Sequence, residues 1–259
     1  MNALSQYNTI LLGFLASLAA GFIGTGAGAL PIFFATDVSR RKLDIMLGFA
    51  AGVMLAATIF GLIIPAVDHG GDGPEGAIIA GLGILLGSIF VGLIDRFSPH
   101  IHPLTGPEGL PTNLHRTWLF IIAIAIHNFP EGLAIGAGFS HGDTRSGIAL
   151  TIGIALQNMP EGLAVAAPLL SEGYSRRKAF LIALATGAVE PIGALIGATL
   201  VKLAEALLPF GLAFAAGAML FVISDEIIPE THAHGSQRVA TYALVVGFVI
   251  MMILDTALT

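Results

Sequence analysis

A chain of 259 residues that is 55% hydrophobic and 11% charged, with mean hydropathy +0.88, holds less than half the charge of a soluble domain, where about a quarter is usual. Cysteine is absent, which excludes disulfides, thiolate metal sites and cysteine nucleophiles together. A net charge of −6 disfavours nucleic acid as a partner.

Apolar runs of membrane-spanning length recur along the whole chain, so the fold class expected is an all-α polytopic membrane protein. Eight spans are predicted, at roughly 8–35, 43–67, 76–95, 116–140, 146–170, 178–203, 207–230 and 238–256, in one transporter-like domain over residues 1–259. The start, MNALSQYNTI, has no Lys or Arg, and the run behind it continues to Phe34. A cleaved signal has a charged start and a shorter core, so this run is read as the first span.

The first loop holds Arg40, Arg41 and Lys42, followed by Asp44, read either as an exit-side ligand or as a partner of Arg41. The second loop, DHGGDGPEG, carries Asp68, Asp72 and Glu75, read first as an ordinary solvated acidic loop and alternatively as concentrating cations at an entrance. The third, roughly 97–115, is predicted as a flexible linker rich in proline, with His100, His102 and His115. Nine of the eleven Lys and Arg fall in odd-numbered loops, only Arg145 and Lys202 in even ones. By the positive-inside rule the odd loops are cytoplasmic and both termini lie outside.

Span four carries HNFPEGLAIGAG (127–138), and thirty residues on (157−127) span five carries QNMPEGLAVAAP (157–168). His127 and Glu131 share a helix face at i,i+4, with Asn128 beside them; Gln157, Asn158 and Glu161 repeat that geometry. Each glutamate thus serves two adjacent positions, one with His127 and Gln157, the other with Asn128 and Asn158. Pro130 and Pro160 leave the carbonyls of Ile126 and Leu156 without their helical donor. Span six adds Glu190, followed by Pro191 and Gly193. Three mid-membrane carboxylates oppose insertion by roughly 8–10 kcal/mol even on a lenient scale, and all eleven Lys and Arg lie in loops or at span ends. Bound cations or protons must neutralise them. One imidazole, three carboxylates and amide oxygens suit Zn²⁺, Fe²⁺ or Mn²⁺ better than Cu(I).

A longer repeat runs through the chain. LGFAAGVML (47–55) matches LAFAAGAML (212–220) at an offset of 165 (212−47), and LASLAAG (15–21) matches LIALATG (181–187) at 166 (181−15). Spans three and eight match weakly, through Gly87 with Asp95 and Gly247 with Asp255. Five spans separate the copies, so spans 1–3 and 6–8 are predicted to form an inverted repeat around the central pair four and five.

With these motifs the chain resembles the ZIP-type metal transporters, the zinc/iron-permease family, close to its bacterial GufA-like branch. The resemblance covers essentially the whole chain and rests chiefly on HNFPEGLA and QNMPEGLA. It implies uptake of Zn²⁺ and related ions, Cd²⁺, Fe²⁺ and Mn²⁺ among them, into the cytoplasm across the inner membrane, by a homodimer with no organic cofactor and no enzymatic activity. It further implies a binuclear site: His127, Glu131, Gln157 and Glu161 with the thioether of Met54 in one position, and Asn128, Glu131, Asn158, Glu161 and Glu190 in the other. In SDEIIPETH (224–232), Asp225 stands where the family often has histidine; Glu226, with Asp225 and His232, is expected to line an exit path. The resemblance also implies that the third-loop histidines His100, His102 and His115 receive or sense metal, the alternative to a solvated linker. Three rivals remain at this stage, one of them efflux rather than uptake, since topology does not set direction. An intramembrane metalloenzyme would need a motif such as H-E-x-x-H, which is absent. A proton-coupled carrier of a non-metal substrate would use the same three acids.

Overall fold

The computed structural model describes residues 3–34, 39–102, 105–112, 114–140, 144–203 and 207–258. Eight helical segments are long and apolar enough to cross a membrane: Thr9–Phe33, Arg40–His69, Pro74–Phe97, Thr117–Phe139, Thr144–Ser171, Arg176–Val201, Leu208–His232 and Gln237–Leu258, numbered here as spans one to eight. No end differs from the predicted one by more than three residues, the largest gap being at the start of span two (43−40). Proline or glycine and the basic loops punctuate the apolar runs, which is why the ends were readable.

Spans four and five are largely buried, while spans three and eight keep most of their surface exposed. Span two packs along span eight, three along seven, four along six, and five against one, two and four. Glycine sets these separations. A Cβ on Gly52 would fall on the carbonyl oxygen of Leu244, and one on Gly217 on that of Ile84. Likewise Gly87 abuts Phe214 and Gly247 abuts Phe49. These contacts come in pairs related by the sequence offsets, 165 for Gly52 and Gly217 (217−52) and 160 for Gly87 and Gly247 (247−87). The same holds nearer the centre, where Gly132 abuts Glu190 and Gly162 abuts Thr25. Such pairing is what an inverted repeat would give.

Among the described residues, three spans widen from α-helix to π-helix. Span one widens to π-helix at Ala20–Gly24, span two at Ala57–Ile63 and span seven at Ile223–Ile227. In spans two and seven a proline follows, Pro65 or Pro229, and the carbonyl four residues back, on Gly61 or Asp225, lies inside the widened turn. Proline has no N–H to give that carbonyl and its ring pushes it away.

The segment read as a flexible loop contains a feature its sequence does not advertise. β1 (His100–His102) pairs antiparallel with β2 (Gly106–Glu108), and all three residues of β1 are buried.

Candidate metal site

Spans four and five present their repeated motifs to each other on continuous helices that run through Pro130 and Pro160. Span six breaks at the same place: its first helix gives way to a 3₁₀ turn, Gly187–Val189, and Glu190 opens the next helix with Pro191 in its first turn. A proline is tolerated there because its missing N–H has no helical partner to lose. His127, Asn128, Glu131, Gln157, Asn158, Glu161 and Glu190 are all buried, none more than 4% exposed.

Two hydrogen bonds tie this group together. Gln157 Nε2 donates to Glu131 Oε1 (2.5 Å), joining spans five and four. Asn158 Nδ2 donates to Glu190 Oε1 (2.7 Å) and to the carbonyl of Ala20 (3.1 Å) in the widened turn of span one. What remains is a surplus of acceptors. Eight buried atoms of these seven residues have no hydrogen-bond partner: His127 Nδ1, Asn128 Oδ1, Glu131 Oε2, Gln157 Oε1, Asn158 Oδ1, both oxygens of Glu161, and Glu190 Oε2. Buried acceptors are normally satisfied, and a cluster of carboxyl, amide and imidazole lone pairs with too few donors has the chemistry of a cation cage. Met54 is fully buried in the central apolar cluster with Met219. Its carbonyl accepts from Thr58 Oγ1 (2.8 Å), which also lies 3.8 Å from the Met219 sulfur.

Among the described residues, the one trio of histidine and acidic groups with ligand atoms all within 4.8 Å of each other lies elsewhere. Asp95 at the end of span three, His100 in β1 and Glu226 in span seven meet there: His100 Nε2 is 2.9 Å from Asp95 Oδ1 and 3.2 Å from Glu226 Oε1, and its Nδ1 faces the Ser98 carbonyl at 2.9 Å. The Nε2 contacts are ion pairs by distance rather than aligned hydrogen bonds. Burial alone lowers the imidazole pKa, but attraction to Asp95 and Glu226 and the Ser98 carbonyl outweigh it, raising the value to about 10. Asp95 was not anticipated as a ligand, since nothing in the spacing joins it to span seven. Its only signal was an acid just inside a span end, five residues before a histidine.

The second histidine of β1 completes the docking of the hairpin. His102 Nε2 donates to the Asp225 carbonyl (2.8 Å), the one that Pro229 cannot serve. His102 Nε2 also lies 4.0 Å from the half-exposed Asp225 carboxylate. Between hairpin and cage runs a narrow cavity of about 20 Å³, lined by His127, Glu226, Glu230, Ile101, Phe120 and neighbours, room for one or two water-sized species.

Other candidates separate from these groups. His115 is exposed and sits 3.2 Å from Glu172, on the same open cavity as Ile101 of β1. His232 Nδ1 lies 2.8 Å from the Ile228 carbonyl and its Nε2 3.2 Å from Thr241 Oγ1. Asp44 is fully buried, and its partner is Arg40 (3.0 Å) rather than Arg41; Arg40 also grips Glu230, and His234 stands 3.8 Å from Asp44. Arg40 lies one helical turn back at i,i+4 and is also held by Glu230, so it bridges the two acids. Asp68, Asp72 and Glu75 are exposed at the end of span two and the start of span three.

The pH consequence can be read directly. Because the folded pKa of His100 is above its ordinary value of 6.5, its charge stabilises the docked hairpin fully below pH 6.5, and that contribution is lost as pH rises through about 10. In ¹³C-histidine NMR, with His100→Gln for assignment, the His100 resonance is expected to titrate far above the other histidines and to fall toward the ordinary range in Glu226→Gln. A wild-type His100 titrating near 6.5 would refute the docked ion pair.

The family described as ZIP Zinc transporter matches residues 108–255, which takes in every cage residue of spans four to six. The chain belongs to the ZIP family. It is 44% identical over 251 residues to the zinc transporter GufA of Myxococcus xanthus, covering 95% of this chain and 98% of that protein. It is 45% identical over 264 residues to the zinc transporter ZIPB of Bordetella bronchiseptica, covering 100% of this chain and 85% of the relative. The human zinc transporter ZIP11 is 36% identical over 320 residues, covering 90% and 94%. Membership brings with it a multi-pass membrane protein, in keeping with the eight apolar helices.

Proposed function

We propose that this ZIP protein carries Zn²⁺, with Cd²⁺, Fe²⁺ and Mn²⁺ as further substrates, through the cage between spans four, five and six into the cytoplasm. The observation that carries the reading is the set of eight partnerless buried acceptors in a region that no Lys or Arg reaches by sequence. Two ion positions share Glu131 and Glu161. His127, Gln157 and Met54 complete the first; Asn128, Asn158 and Glu190 complete the second. Zinc accepts imidazole, carboxylate and thioether together, and imidazole is its most selective donor in this set. To receive an ion, Gln157 and Asn158 must turn their oxygens inward and release the glutamates they hold. The exit runs from His127 past Glu226 to the Asp95–His100–Glu226 trio, where a metal must displace the imidazole proton; Asp44 and Asp225 border that mouth, and the exposed Asp68 faces the entrance.

A carrier in which spans one, four, five and six move against two, three, seven and eight is supported by the glycine contacts. Every membrane glycine whose Cβ would strike a backbone carbonyl of another span does so within one of these sets. Across the boundary the neighbours are side chains: Leu150 against Gly61, Met251 against Gly153 and Val201 against Gly211. The protein sits in the inner membrane as a homodimer with both termini outside, in line with the basic odd-numbered loops.

Purified protein in liposomes loaded with a zinc-sensitive dye is expected to accumulate Zn²⁺ down an imposed gradient, with His127→Ala reduced at least tenfold. Absence of any divalent-metal flux under either gradient direction would sink the transport reading. Calorimetry that found no Zn²⁺ binding would instead favour a carrier of protons and a non-metal substrate.

A further inference from the structure

Where spans three and seven meet spans four and six, the structure holds a cleft of about 460 Å³ that the metal path does not use. Phe90, Phe129, Phe210 and Phe214, with Leu200 and Val201, form most of its wall, and no lining residue has a polar side chain. Water is a poor occupant, since a buried water needs two to four polar partners. An engineered apolar cavity of about 150 Å³ already takes up benzene. A space three times larger in a close-packed bundle leaves its lining atoms without partners unless something apolar fills it.

The cleft is open on the side that faces the bilayer. Ile196, Leu200 and Leu207 at its mouth are 40%, 55% and 49% exposed, and they continue the lipid-facing surface of span six at Ile192 and Leu195. Its length also has a meaning. Along span four it reaches from Phe129, at the level of the cage, to Ala137 near the span end. Those eight residues rise about 12 Å, close to one leaflet of a hydrocarbon core about 30 Å thick. Near the cage end the ring of Phe90 bridges Phe129 (6.2 Å between centroids) and Phe214 (5.4 Å). A depth of one leaflet, an apolar wall and continuity with the bilayer-facing surface describe the imprint of a hydrocarbon chain.

We propose that this cleft binds one acyl chain of a membrane phospholipid, intercalated between spans three, four, six and seven. Native mass spectrometry of the wild-type protein, washed in detergent, is expected to show a population retaining one phospholipid per chain. Trp118 is the only tryptophan, so Trp118→Phe with Phe210→Trp reports from the cleft alone. In liposomes of mid-chain brominated phosphatidylcholine its emission is expected to fall at least twofold relative to unbrominated lipid. Ala137→Phe, from a wall residue only 2% exposed, fills the cleft and should abolish both signals. Gly211→Leu, whose new Cβ meets only Val201, is the second filler should the first fail to fold. Wild type that retains no lipid overturns the proposal. So does quenching that persists unchanged in both fillers, which marks ordinary boundary lipid, or a dimer that both fillers dissolve, which marks a second copy as the occupant.

Discussion

Replacing Glu161 by glutamine is expected to abolish zinc uptake into liposomes while raising the melting temperature of the metal-free protein. Both Glu161 oxygens are buried without a hydrogen-bond partner, and the residue is 2% exposed. Glutamine has nearly the same volume, carries no charge and brings two donors into a region rich in acceptors. A carboxylate at mid-membrane costs about 2.5–3.5 kcal/mol on the lenient scale, so removing it should stabilise the empty protein by up to that order. At roughly 2–4 °C per kcal/mol for a chain of this size, the shift is on the order of 5 °C. Transport moves the other way, because both proposed ion positions lose a ligand at once. Flux measured with a zinc dye, and melting of the metal-free protein followed by tryptophan emission, separate these effects. Unchanged flux would remove Glu161 from the cage; a lower melting temperature would mean that its oxygens are satisfied in the empty protein after all.

The second large effect is structural. Gly132→Val is expected to prevent recovery of folded protein, since a Cβ at position 132 falls on the carbonyl oxygen of Glu190. Overpacking against side chains costs about 1–3 kcal/mol. Here two backbones collide, and the helix that presents Glu190 must leave span four altogether. Gly81→Val is the control, because nothing lies within 4 Å of a Cβ there. Yield and size-exclusion profiles after detergent extraction decide the matter. A monodisperse Gly132→Val protein of wild-type stability would show that the two spans are free to separate.

What was readable in the sequence is what depends on local periodicity. The spans announce themselves by uninterrupted apolar length, and HNFPEG and QNMPEG place their ligands on one face through i,i+3 and i,i+4 spacing. Glu190 was readable because an acid in hydrocarbon demands an explanation. His100 and Glu226 were each readable as candidates, one in the third loop and one on the exit path, but their meeting with Asp95 was not, since the three come from the end of one span, a strand and the last two turns of another. The hairpin escaped for a related reason. Three residues a side give too short an alternation to detect, and what holds it is tertiary: His100 between two acids and His102 on a carbonyl released by Pro229. The widened turns in spans one, two and seven likewise have no pattern of their own, only a proline or glycines nearby that suit several outcomes.

The two amide-to-carboxylate bonds of the cage, Gln157 to Glu131 and Asn158 to Glu190, have a consequence for exchange. Each amide NH₂ is a weak stand-in for a cation, a partial positive charge that rotates on a single bond instead of diffusing away. In the transport proposed above, cargo would arrive by substitution: an ion would displace the NH₂, the amide would turn over, and the oxygen that replaces it would become a ligand. On release the same half-turn would restore the placeholder before water has to flood in. The polar pair at 157 and 158 would then act as a ratchet pawl for Glu131 and Glu190. A shift of side-chain amide bands in the infrared on zinc addition to wild type, reduced in Gln157→Leu where Asn158 remains, would register these half-turns.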